Sequence, residues 1–300
     1  MSEPLTTTRR TAVGQFTVTR LAFGCWRLVD MSTSEAAARI NACLDADITL
    51  IDTADVYGLD WGGSGFGAAE ELLGQVLAAD ATIRDRIVLA SKGGIIPGVP
   101  YDSSEEYLRQ AVEASLRRLQ TETIDLYQIH RPDLYTHPAD LAGTLTALRE
   151  EGKIREIGVS NVTPAQSRAL AAHLDVPLAS TQPQFSAAHL DPLQDGTLDL
   201  AMELDMAVLA WSPLHGGALV SGDDVRPELV GVLDRLAERE SCSRADIAHA
   251  WILAHPSGAM PILGTQNVDR IAAAPDVFDI TLTRPDVYDI IEASQGAPLP

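Results

Sequence analysis

The chain has 300 residues, 46% hydrophobic and 21% charged, which is enough apolar content for a core and excludes disorder by composition. Its 42 acidic and 22 basic side chains leave a net charge of −20, which argues against nucleic acid and anionic membranes as partners. No apolar run reaches the ~18 residues of a membrane span, and MSEPLTTTRR carries no apolar stretch after its basic residues, so no secretion signal is expected. Three scattered cysteines, Cys25, Cys43 and Cys242, suit neither a disulfide framework nor a zinc site. They read as reduced, buried thiols in a cytoplasmic protein. At this length, two ordinary domains or one α/β barrel would fit.

Residues 1–19 read as a short N-terminal extension. A first strand is expected over Arg20–Gly24, then a helix opened by a capping box of Ser32 with Glu35. Thr49–Ala54 is the second strand, followed by the glycine-rich loop Gly58–Gly67. The third, Ile87–Lys92, precedes a helix with a box of Ser103 and Glu106 and an apolar face of Leu108, Val112, Leu116 and Leu119. Ile124–His130 and Ile154–Ser160 follow. Thr163 with Gln166 then forms a third box, with Pro164 at the first helical position, where its missing N–H costs nothing. Strands over Leu178–Phe185 and Ala207–Pro213 lead to two helices, Val225–Glu238 and Ser243–Ala254. The last strand is Pro261–Thr265, and a C-terminal helix and tail occupy 284–300.

The strand segments are near-continuous apolar runs, as strands buried on both faces require. Eight strand–helix units without a dividing linker predict a single-domain (β/α)8 TIM barrel. An open doubly wound sheet would also alternate, but no G-x-G-x-x-G stands near Gly24.

Barrels place reactive groups at the C-terminal ends of their strands. Those ends carry Asp52, Thr53, Asp55 and Tyr57, then Ser91 and Lys92, then Gln128 and His130, then Ser160 and Asn161. Gln182, Trp211, Ser212, Gly264 and Thr265 complete the set. Singly, each has a plain structural alternative: Asp52 as a turn residue, Lys92 on the surface, His130 in the core, Tyr57 in packing. Together, Asp52, Tyr57, Lys92 and His130 suit general-acid reduction of a carbonyl. A phenol of pKa ~10 donates poorly at neutral pH, and a nearby ammonium is expected to lower that value. A carboxylate would hold the ammonium, and a neutral imidazole would orient the carbonyl oxygen.

The chain resembles the aldo-keto reductases. The resemblance rests on IDTADVYG (Ile51 to Gly58), SKGG (Ser91 to Gly94), LYQIHR (Leu126 to Arg131), GVSN (Gly158 to Asn161), TQPQ (Thr181 to Gln184), AWSPL (Ala210 to Leu214) and PILGT (Pro261 to Thr265). It implies a catalytic tetrad of Asp52, Tyr57, Lys92 and His130, with Tyr57 as proton donor. It also implies a nicotinamide cofactor across the barrel mouth. Ser160, Asn161 and Gln182 would hold its carboxamide, and Trp211 would stack on its ring. Ser212, Leu214, Gly264, Thr265, Gln266 and Arg270 would lie along its phosphates and adenosine, with Gly24, Cys25, Trp26, Asp52, Pro213, Gly216 and Leu263 completing the contact set.

Many members carry Lys at the Gly264 position, and Glu and Asn where this chain has Ala273 and Ala274. Arg270 and the helix-start amides near Asn267 are the remaining expected phosphate partners. NADP(H) is the first expectation and NAD(H) the second. Trp26, Tyr57, Trp61 and His130 are expected to contact a small-molecule carbonyl substrate, with Phe66 brought near by its loop. No metal is expected, since only His130 and His215 of seven histidines stand near strand ends. A monomer or weak homo-oligomer is expected, and a cofactor-binding sensor barrel is the alternative function.

Overall fold

The computed structural model describes residues 3–5, 7–59 and 62–300. Two short antiparallel strands come first, β1 (Arg10–Val13) and β2 (Phe16–Thr19). Gly14 turns between them at φ 54°, and a Cβ there would stand 2.3 Å from the Glu156 carboxyl carbon. Glu156 accepts instead from the backbone and side-chain nitrogens of Gln15, at 3.1 and 2.9 Å. The segment expected as an extension is thus a hairpin docked on the barrel.

Eight parallel strands then close on themselves: β3 (Ala22–Gly24), β4 (Leu50–Asp52), β5 (Val88–Gly93), β6 (Ile124–Ile129), β7 (Ile154–Ser160), β8 (Ser180–Gln182), β9 (Ala207–Ala210) and β10 (Met260–Leu263). Each pairs with its sequence neighbour, and β10 returns to β3. All eight expected strands are present, most of them shorter than expected. The apolar runs continue past the regular strands: beyond β8 and β9 a single parallel bridge of Gln184 with Trp211 remains, Trp211 N donating to the Pro183 carbonyl and Phe185 N to the Trp211 carbonyl, before the backbone turns away at Ser212–Pro213.

Apolar residues divide between the two faces of the strands, following their period of two. Inside the barrel, Ala22, Leu50, Val88, Ala90, Leu126, Leu209, Met260 and Ile262 pack with Val13 and Val18 of the hairpin. The hairpin therefore plugs the N-terminal end. Outside, residues such as Tyr127, Ile129 and Val159 pack beneath the helices. On helix Glu105–Leu119, the expected face of Leu108, Val112, Leu116 and Leu119 is buried.

The capping boxes at Ser32 and Thr163 form as expected. The box at Ser103 does not. Ser104 caps that helix, while the Ser103 backbone donates to Asp133 Oδ2. Further boxes form at Ser243 with Asp246 and Thr283 with Asp286. Among the described residues, no helix is long and apolar enough to cross a membrane.

Candidate active site

Parallel register brings the strand ends to one rim. Asp52 ends β4, Lys92 is the penultimate residue of β5, and His130 follows β6 directly. Ser160 ends β7, Gln182 ends β8, and Trp211 follows β9.

Asp52 and Lys92 are both buried and form an ion pair of 2.7 Å. A buried ion pair is tolerated only when its remaining lone pairs and protons are also satisfied. Here they are. Lys92 Nζ also donates to the Thr53 carbonyl at 2.8 Å. Asp52 Oδ1 accepts from Gln128 Nε2 at 3.2 Å and Gln182 Nε2 at 3.0 Å.

Tyr57 stands over this pair, its ring centroid 4.9 Å from Lys92 Nζ. Its ring meets that of His130 edge-on, with centroids 5.8 Å apart. Burial raises the Tyr57 pKa above its usual 10, and the pull of Lys92 in the other direction does not overcome it. The expected lowering of this pKa is therefore corrected: desolvation outweighs the ammonium. Burial works to lower the Lys92 pKa, but the Asp52 carboxylate and Tyr57 turn the net shift upward. Burial, then the charges of Lys92 and Arg131, push His130 well below its usual 6.5. The site thus holds a protonated phenol, an ammonium and a neutral imidazole. Such a set can donate hydrogen bonds and a proton to an oxygen that gains negative charge.

A second layer runs round the rim. Ser160 Oγ donates to the Gln182 carbonyl at 2.9 Å, and Asn161 Nδ2 donates to Ser160 Oγ at 2.7 Å and to the His130 carbonyl at 3.3 Å. Trp211 Nε1 donates to Asn161 Oδ1 at 2.9 Å. Asn161 adopts φ 55°, which Asn tolerates better than most residues. Its amide therefore ties β6, β7 and β9 together. The Gln182 amide nitrogen points beneath the site at Asp52.

On the far rim, Ser212 has φ 52° and its Oγ accepts from Gly216 N at 2.9 Å, across Pro213, Leu214 and His215. Gly24 and Leu263 are buried strand ends, and Cys25 is fully buried, so these three can offer a ligand only backbone atoms. Trp26 is 41% exposed at the mouth. Gly264 faces open space, where a Cβ would meet nothing within 4 Å.

Thr265 Oγ1 accepts from Asn267 N, and Asn267 Oδ1 accepts from Arg270 N. Those helix-start amides are thus already partnered, against the expectation that they were open to a phosphate. Gln266 has both amide atoms buried with no partner. Arg270 is exposed, and its side chain has no partner among the described residues. Trp61 lies outside the described residues. Phe66 lies under the Arg118 guanidinium, whose carbon is 5.8 Å from its ring centroid. Among the described residues, no group of three His, Cys, Asp or Glu could hold a metal.

Sequence reasoning missed what supports these groups. Gln128 was expected at a strand end, but its hold on Asp52 was not foreseen. Arg131, whose guanidinium carbon lies 5.9 Å from the Trp211 ring centroid, gave no signal. Nor did Glu70 and Arg118, which join the strand-end Ser91 in a cluster where Ser91 Oγ and the partly buried Arg118 Nε donate to the buried Glu70 carboxylate at 2.5 and 2.8 Å.

Comparison with known proteins agrees with this architecture. The aldo/keto reductase family model matches residues 20–295. A 6-dehydroglucose reductase of Novosphingobium aromaticivorans is 45% identical over 286 residues, covering 94% of both chains. A 6-dehydroglucose reductase of Agrobacterium fabrum is 33% identical over 93% of this chain and 95% of its own. The oxidoreductase YdhF of Escherichia coli is also 33% identical, over 94% of this chain and 95% of its own. A closed parallel barrel and a family match across nearly its whole length make this chain a member of the aldo/keto reductase family.

Proposed function

We propose that this protein reduces the carbonyl group of a small polyhydroxylated aldehyde or ketone with a nicotinamide cofactor, and that Tyr57 is the proton donor. The observation that carries this reading is the protonated Tyr57 beside a buried Lys92–Asp52 pair and a neutral His130. The relatives named 6-dehydroglucose reductase support the substrate class.

The residues of the far rim fit the cofactor. Gln266 keeps an unpartnered buried amide there, and Arg270 an unpartnered guanidinium. When bound, the cofactor supplies a hydride to the carbonyl carbon. Trp211, fixed by Asn161, would stack against the nicotinamide, while Ser160 and Asn161 would flank its carboxamide. Gln182 would share that place, its amide oxygen toward the ligand and its nitrogen held by Asp52. Gln266 and Arg270 would hold the adenosine end, which makes NADP(H) the first choice and NAD(H) the second.

At the reacting end, His130 stays neutral and donates a hydrogen bond to the carbonyl oxygen, which orients it. Tyr57 gives its proton to that oxygen as negative charge builds there. Lys92 stabilises the phenolate left behind, and Asp52 keeps Lys92 charged and in place. Gln128 and Gln182 fix Asp52 from below. Burial keeps Tyr57 protonated across neutral pH, so the donor form is the resting form.

The test is a panel of carbonyl compounds with NADPH and NADH, followed by absorbance of the reduced cofactor. Hydroxylated aldehydes should be consumed with cofactor oxidation. Tight cofactor binding with no turnover on any carbonyl would instead identify a sensor barrel.

A further inference from the structure

Arg131 follows His130 at the mouth and is half-buried. Its guanidinium lies over the Trp211 ring. Trp211 is in turn fixed by Asn161, whose Nδ2 donates to the carbonyl of His130. Arg131 therefore places its charge against the indole and near enough to the imidazole to act on its proton affinity.

The side chain of Arg131 has neither a hydrogen bond nor an ion pair among the described residues. Asp133, two residues on, does not neutralise it. The Asp133 carboxylate is engaged by Ser103 N, Tyr135 N and Thr136 Oγ1 at 3.0, 2.9 and 2.6 Å. The Arg131 charge still reaches the site, where it helps push the His130 pKa down after burial and Lys92. A guanidinium carries five N–H donors in a planar fork and is costly to desolvate unless an acceptor meets it. Here the fork lies beside Trp211 at the mouth with no acceptor of its own among the described residues.

The acceptor it suits is fixed by charge. The protein carries −20, which opposes anionic substrates at long range. Neutral hydroxyl oxygens meet no such opposition, and two on adjacent carbons match the spacing of the fork. On the reductase reading above, we infer that Arg131 is a specificity residue whose guanidinium holds hydroxyl oxygens on the first two carbons beyond the carbonyl. The protein then selects hydroxylated aldehydes and ketones over plain ones.

The test compares kcat/KM for D-glyceraldehyde and propanal in the wild type, Arg131→Met and Arg131→Lys. Methionine keeps an apolar stem over Trp211 but no donors. The wild type should favour glyceraldehyde. The glyceraldehyde-to-propanal ratio should fall about 10- to 100-fold in Arg131→Met, mainly through KM, as loss of charge-assisted hydrogen bonds requires. Arg131→Lys should recover part of it, since the charge returns without the fork. An unchanged ratio in Arg131→Met, with either aldehyde still reduced, overturns the inference. So does a wild-type preference for glyoxylate over glyceraldehyde that Arg131→Met abolishes, which would assign the residue to a carboxylate. A wild type that reduces no aldehyde at all defeats the reductase reading itself, and the inference falls with it.

Discussion

Lys92→Met separates the electrostatic role of the buried pair from its catalytic one. Lys92 is fully buried, and its ammonium is the one cation at hydrogen-bond distance from Asp52 among the described residues. Methionine fills much the same volume, so the main change is an Asp52 carboxylate left in the barrel without a counter-charge. Removing one partner of a buried pair costs about 3–5 kcal/mol, far more than an exposed pair is worth. Two amide donors, Gln128 and Gln182, remain on Asp52 and keep the cost towards the lower figure. Adding Asp52→Asn should restore more than half of the loss, because no orphan charge then remains while Oδ1 can still accept from both glutamines.

The pH dependence has a definite sign. The folded-state pKa of Lys92 is raised above its ordinary 10.5. Its stabilisation is fully present below about 10.5 and disappears as pH climbs through the folded value. The stability gap between wild type and Lys92→Met should therefore be flat from neutral pH to about 10 and narrow above it. Urea unfolding followed by circular dichroism across that range measures both effects. A single variant within 1 kcal/mol of wild type, or a double variant less stable than the single one, would refute the reasoning.

Tyr57→Phe should lower reductase turnover by roughly 10²–10⁴-fold while the cofactor dissociation constant holds, because the hydroxyl acts only on the developing oxyanion. Stopped-flow turnover and fluorescence titration check the two halves, and near-normal turnover would exclude Tyr57 as donor. Arg270→Ala should weaken NADPH by very roughly 10- to 100-fold and NADH little, as loss of a charge-assisted hydrogen bond implies. Equal losses for both cofactors, read from tryptophan quenching, would mean Arg270 does not read the 2′-phosphate. Gly93→Ala should destabilise the fold by about 1–3 kcal/mol, because its Cβ would stand 2.1 Å from the Tyr127 hydroxyl. Tyr127→Phe in the same chain should relieve most of that cost in thermal melts, and no relief would place the clash elsewhere.

The barrel was legible because strands buried on both faces leave long apolar runs, and because Ser32, Thr163 and Pro164 mark helix starts locally. Strand ends were overrun where the apolar run continues past the last inter-strand bond, as at Pro213. The hairpin at Arg10–Thr19 was missed although Gly14 stands at its turn. Its inward residues, Val13 and Val18, show their purpose only against the barrel floor.

Asp52, Tyr57, Lys92 and His130 could be named because unusual residue types stood at three consecutive strand ends. What holds them could not. Gln182 meets Asp52 only through the register of β8 against strands 130 residues away in sequence. The direction of the Tyr57 shift was also beyond the sequence. It is a contest between burial and one ammonium, and only the depth of the ring decides it.

The seam of the barrel joins β3 to β10, pairing Ala22 with Ile262 and Phe23 with Leu263. Arg20 fastens the same seam. Its buried guanidinium donates to the carbonyls of Leu253, Gly258 and Ala259, and burial lowers its pKa to about 10. On the ribosome these two edges emerge about 240 residues apart, which at roughly 5–20 residues per second means some ten seconds to a minute. Throughout that interval β3 has no partner on one side, and Arg20 lacks the carbonyls that justify its burial. Asp52 and Lys92 can meet early, since β4 and β5 are neighbours, but the cylinder around them closes last. A nascent chain that stalls before Met260 presents open sheet edges at β3 and β9, the form most exposed to aggregation and to proteases.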